Sequence, residues 1–136
     1  VRKYTSPKEI EAIMNTAPQK LSLEEFYVLA QTYEEGSAQL HELFEIAVRM
    51  FPNDEIANLN AANSAISSGN YERAARYLDK AGNRPEVVYA RGVIEVHKAN
   101  YKAAMPLLEE AKRLGVAEAA PTIEAISNHW KVSSKR

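Results

Sequence analysis

The chain contains no cysteine. That excludes disulfides, thiolate nucleophiles and thiolate metal sites, and it leaves the compartment open. Aspartate is almost missing as well: Asp54 and Asp79 are the only two, which argues against calcium loops and acidic metal cages. Neither sign of charge dominates, with 17 Lys and Arg against 18 Asp and Glu and a net charge of −1. Nucleic-acid binding draws on a clear excess of Lys and Arg against phosphate, so this balance speaks against it. It also gives no reason to expect a membrane surface. Long apolar runs are missing, so no segment is expected to insert into a bilayer.

Constellations of catalytic residues are equally scarce. The histidines, His41, His97 and His129, form neither an i,i+4 pair nor a zinc-ligand pattern. Glu95 and His97 are two apart and point to different sides of a helix. No serine sits in a nucleophile elbow, and no glycine-rich phosphate loop is present. Most glutamates fall on solvated helix faces beside Lys or Arg, as Glu109 does with Lys112 and Arg113. The expectation is a protein with no catalytic residues, no metal site and no cofactor, and so no enzyme.

What the chain does have is helix. Ala and Glu dominate, apolar residues recur at helical spacing, and short punctuators separate the segments. Ser6, Pro7 and Glu9 read as a cap, a first helical residue and the partner of a capping box for a helix over 7–20. Ser22 and Glu25 repeat that pattern, with Gly36 as the stop. Further helices are expected from Ser37 to Pro52, from Asp54 to Gly69, from Asn70 to Gly82, from Pro85, and from Asn100 to Gly115. The last one is interrupted, or begins, at Pro121, and the tail after Trp130 frays. Pro106 falls about one turn into its helix, where it forfeits a hydrogen bond without breaking the helix. Eight helices on short connections imply an all-α fold of stacked antiparallel hairpins.

Two of these stretches repeat. "NYERAARYLDKA" begins at Asn70 and "NYKAAMPLLEEA" at Asn100, thirty residues later. A third copy can be laid over them, aligning Leu40 with Ala74 and Ala104, Phe44 with Leu78 and Leu108, and Ala47 with Ala81 and Ala111. Small residues at these spacings let helices approach closely, and the large ones fill the gaps.

The pattern resembles the tetratricopeptide repeat family, whose period is 34 residues. "SSGNYERAARYLDKA" and "YARGVIEVHKANYKAAMPLLEEA" carry the likeness, with Gly92 at the small position of a first helix and "FPND" at the proline loop. The resemblance implies a right-handed superhelix of about three repeats (21–54, 55–84 and 85–116) between cap helices at 7–20 and 117–130. It also implies a concave, non-enzymatic groove for a protein or peptide. By the repeat register that groove contains Leu59, Asn60, Asn63 and Ile66 from one first helix, and Tyr89, Val93, Val96 and His97 from the next. Asn there would bond a ligand's backbone or, alternatively, neighbouring helices. Tyr89 reads as packing or, alternatively, as a peptide anchor. Trp130 reads as a capping side chain or a contact. Leu59 and Tyr89 stand where the family's carboxylate clamp has basic residues, so that clamp is not expected.

The stretch from Val28 to Ile66 also resembles the C-terminal helical-repeat region of exported, envelope-associated proteins of Bacteroidetes, some of them linked to outer-membrane-protein-A-like domains. That resemblance implies a periplasmic or envelope location, with the cytoplasm as the alternative, and a module of a larger protein that extends before Val1. A structural spacer or self-association unit is the other role this architecture would serve. Nothing in the sequence indicates a homo-oligomer.

Overall fold

In the computed structural model the described residues are 6–134, with side chains described for 6–128. They form eight α-helices and a short 3₁₀ turn, with no strand among them, so the fold is all-α. The chain divides into two compact units, 1–81 and 82–136.

The first unit contains α1 (Pro7–Thr16), the 3₁₀ turn Pro18–Lys20, α2 (Leu23–Ala30), α3 (Ala38–Met50), α4 (Glu55–Ser67) and α5 (Tyr71–Leu78). Each helix packs on its neighbour in sequence. Ile10, Met14, Leu21, Phe26, Leu29, Leu43 and Ala47 form its main core. Phe26 meets Phe51 edge to face with ring centroids 6.3 Å apart, a favoured aromatic geometry.

Local chemistry sets most of the helix starts. Ser22 and Glu25 form the expected capping box, Ser22 N–H donating to Glu25 Oε1 at 2.9 Å and Glu25 N–H to Ser22 Oγ at 3.2 Å. Ser37, Asp54 and Asn70 accept from the backbone N–H groups of Leu40, Ala57 and Arg73. Each cap satisfies one of the donors a helix start leaves unpaired.

Several expectations are corrected. Ser6 is the N-cap of α1, but its hydroxyl makes no cap hydrogen bond. That helix ends at Thr16, and residues 18–20 tighten into the 3₁₀ turn. Gly36 does not stop α2. The helix ends earlier, at Ala30, where the backbone tightens into i→i−3 bonds from Thr32 N–H to Leu29 O at 3.0 Å and Tyr33 N–H to Ala30 O at 3.2 Å; the Thr32 hydroxyl also donates to Leu29 O at 2.7 Å. In the first copy of the repeat, Leu43 is the fully buried residue, while Leu40 and Phe44 are only half-buried. Their counterparts by register, Ala74 and Ala104 for Leu40 and Leu78 and Leu108 for Phe44, are fully buried.

The second unit contains α6 (Pro85–His97), α7 (Tyr101–Arg113) and α8 (Ala119–Ser134). Leu108, Ala104 and Ile126 form one cluster, and Ala111, Val116 and Ala119 a second. The close approach of α6 and α7 depends on Gly92, which is buried directly against Leu107 and Leu108. Pro106 lies deeper in α7 than expected. Ala104 N–H is already bonded to Asn100 O at 3.0 Å, so Pro106 sits past the unpaired first turn, and α7 continues through it. α8 starts at Ala119, two residues before Pro121, which places Pro121 in a first turn that tolerates it. The readings of Trp130 and of the tail lie outside the described side chains.

The two repeat stretches behave alike. Tyr71 and Tyr101 open α5 and α7. Each preceding helix closes with the same pair of bonds: Gly69 N–H to Ile66 O and Asn70 N–H to Ala65 O in one, Ala99 N–H to Val96 O and Asn100 N–H to Glu95 O in the other. This is a Schellman closure, which places one residue in the left-handed region. Gly69 takes it at φ 79°, and Ala99 takes it at φ 59°.

Candidate functional site

The first unit carries an open cavity of about 430 Å³ between the end of α2, α3 and α4. Helical spacing builds each wall. On α4, Asn60, Asn63, Ser64 and Ser67 all line it, and their i, i+3, i+4, i+7 spacing makes one polar stripe along a single face. On α3, Leu40 and Phe44 line it one turn apart, with His41 beside them. The exit from α2 contributes Ala30, Gln31 and Tyr33, and the following turn contributes Glu35 and Gly36. The half-buried state of Leu40 and Phe44 follows: their side chains form the apolar floor of this space instead of filling a helix crossing.

Three polar arrangements lie at or beside the site. His41 Nδ1 and Ser64 Oγ are hydrogen-bonded across the α3–α4 wall. The Tyr33 hydroxyl donates to the Glu11 carboxylate, which ties the α2 exit to α1. Burial, then that hydrogen bond and the Glu11 charge, push the Tyr33 phenol up to about 12. Tyr27 on α2 has its hydroxyl oxygen buried without a hydrogen bond of acceptable geometry. Burial and the Asp54 charge push it up to about 12, and the nearby Asn60 amide draws it back in part.

A Ser–His contact invites comparison with a nucleophile and its base. Among the described residues nothing hydrogen-bonds His41 Nε2 to orient the ring. Ser64 lies within the straight run of α4, where backbone N–H groups are spent on the helix and cannot form an oxyanion hole. Among the described residues no group of three or more His, Asp or Glu is placed to hold a metal ion, and no helix is long and apolar enough to cross a membrane.

The residues singled out by register are distributed as follows. Asn60 and Asn63 lie at the cavity. Leu59 is buried in the first unit, and Ile66 is half-buried outside the cavity lining. Tyr89, Val93, Val96 and His97 are on α6 of the second unit. Tyr89 packs against both clusters of that unit. Its hydroxyl is 2.9 Å from Thr122 Oγ1, and Thr122 itself donates to Glu118 O, so Tyr89 is the donor. Val96 packs on the Leu108 cluster, Val93 is half-buried, and His97 is exposed at the end of α6. Sequence reasoning did not single out Gln31, His41, Ser64 or Ser67. The polar i, i+3, i+4, i+7 stripe of α4 was the available signal for the last two.

The chain matches no model of a known protein family, and no curated protein matches it either.

Proposed function

We propose that this protein is a non-enzymatic interaction module that holds an uncharged stretch of a protein or peptide in the cavity between α2, α3 and α4. The observation that carries this reading is the α4 stripe of Asn60, Asn63, Ser64 and Ser67 facing the Leu40–Phe44 floor. Amide side chains both donate and accept, which suits a peptide backbone, and the apolar floor suits one side chain of the ligand. The described lining contains no Lys or Arg and a single carboxylate, Glu35, so it offers no counter-charge to an anion. The volume falls within the roughly 300–1,000 Å³ range of ligand pockets. In this reading the hairpins stack as a short right-handed superhelix like that of tetratricopeptide repeats, within a larger envelope protein.

The test is selection of peptides from a random library on the purified protein, followed by mapping the best binder through the side-chain amide signals of an NMR spectrum. Selected sequences should be uncharged at their centre and should shift the amides of Gln31, Asn60 and Asn63. Asn60→Ala with Asn63→Ala should weaken binding tenfold or more at unchanged helicity. Binding that ignores this pair of substitutions sinks the proposal. Concentration-dependent sedimentation without peptide binding favours a self-association unit instead.

A further inference from the structure

A second depression of the first unit, of about 580 Å³, is formed by residues of α3, α4, α5 and their turns. Val48, Pro52 and Tyr77 make its apolar wall, and Arg49, Arg76 and Lys80 bring three cations to it. Arg49 and Arg76 lie in the last turns of α3 and α5, where a cation suits the helix dipole. The dipole explains the sign of each charge. It does not explain why three of them converge on one apolar-walled space.

The nearby acids do not neutralise them. Among the described residues, none of the three cations has a carboxylate within ion-pair distance. Glu45 is occupied elsewhere: it accepts from the Tyr77 hydroxyl at 3.1 and 3.2 Å and pairs with Arg73 at 3.5 Å. That contact also anchors the Tyr77 ring as a wall. Asp79, the one acid in the lining, is itself engaged. Asn58 is committed as well, its amide nitrogen donating to Pro52 O and Asp54 O.

We propose that this depression docks an acidic peptide segment in which Asp or Glu flanks a large apolar side chain. Charge complementarity sets the sign of the partner. The shape sets its class: three cations spread over α3, α5 and the turn after α5 match several carboxylates along a chain better than one compact phosphate. The apolar wall has no use for a bare anion. Guanidinium groups take carboxylates in paired hydrogen bonds. Exposed ion pairs contribute little singly, so insertion of the apolar side chain against Val48, Pro52 and Tyr77 supplies the rest. This site is independent of the α2–α4 cavity.

The experiment is fluorescence anisotropy on the full chain with a labelled Glu-Glu-Phe-Glu-Glu peptide. Two control peptides replace the Glu residues by Gln, or the Phe by Ala. The acidic peptide should bind saturably and more weakly as salt rises, and both controls should bind at least tenfold more weakly. Arg76→Glu with Lys80→Glu should lower affinity at least tenfold without changing the circular dichroism or melting temperature, because both side chains are exposed. The Asn60/Asn63 double variant should bind the peptide as the parent does, which separates this proposal from the preceding one. No saturable binding at millimolar peptide, equal binding of the Gln peptide, or indifference to the charge reversal overturns it. Displacement by inorganic phosphate at concentrations comparable to the peptide also overturns it, in favour of a free-anion site.

Discussion

A Cβ added to Gly92 would stand 2.8 Å from Cδ2 and 3.0 Å from Cγ of Leu108, closer than the fully buried leucine tolerates. Two effects compete when Gly92 becomes Ala. Helix propensity favours Ala by about 1 kcal/mol, while forcing a methyl into a filled core costs about 1–3 kcal/mol. Packing wins here because Leu107 stands at 3.4 Å on the same side and limits the room into which Leu108 could move. Gly92→Ala is expected to destabilise by about 1 kcal/mol, read as a lower urea midpoint at unchanged slope. Gly92→Val should cost more.

Ala99 makes the opposite case. It holds φ 59° where its repeat counterpart is glycine, and a left-handed Cβ costs about 1–2 kcal/mol. Glycine returns part of that through its greater freedom in the unfolded chain. Ala99→Gly should therefore stabilise by about 0.5–1 kcal/mol and raise the melting temperature by roughly 2–4 °C. Gly69→Ala should lower it by a similar amount.

Asn58 is 1% exposed and ties α4 to the loop before it, its amide nitrogen lying 3.0 Å from Pro52 O and 2.8 Å from Asp54 O. Asn58→Ala removes both part-buried hydrogen bonds of a side chain that is itself buried and should cost about 2 kcal/mol. Equilibrium unfolding in denaturant measures it. Asn63→Ala, at an exposed position of the same helix, should stay within about 0.5 kcal/mol of the parent.

The tyrosines set an alkaline limit. Tyr27 and Tyr33 titrate near 12 in the folded protein against 10.0 for a free phenol. Between those values the unfolded chain has released protons that the folded chain retains. Stability is therefore unaffected by these groups below about pH 10 and falls as pH rises toward 12. Phenolate absorbance followed against pH should show Tyr27 and Tyr33 titrating late, with Tyr77 also above the ordinary phenol range because burial and the Glu45 carboxylate raise it. Tyr27→Phe should remove one of them. At neutral pH it should be neutral or slightly stabilising, because it deletes a buried hydroxyl that has no hydrogen bond of acceptable geometry.

The helices were legible because their signals are local. A capping box at Ser22 and Glu25, a cap at Asp54 and the turns at Gly69 and Gly115 act within a few residues of chain. Backbone geometry there needs no distant partner. The miss at this level is local too: α2 ends at Ala30, before Gly36, in a turn of i→i−3 backbone bonds. The repeat register read from Leu40, Ala74 and Ala104 located close crossings correctly in α7, where Ala104 and Leu108 are fully buried.

Composition and spacing by themselves determined the helical class, most helix boundaries and the small residues at the crossings, because each follows from backbone hydrogen bonding and side-chain size. The tertiary structure alone decided what the helix faces meet. It turned Leu40 and Phe44 into a cavity floor, set His41 on Ser64, bonded Tyr89 to Thr122, and brought Arg49 together with Arg76 and Lys80. Those outcomes depend on which helices pack together and at what rotation about their axes. A periodic pattern names a face without naming its neighbour.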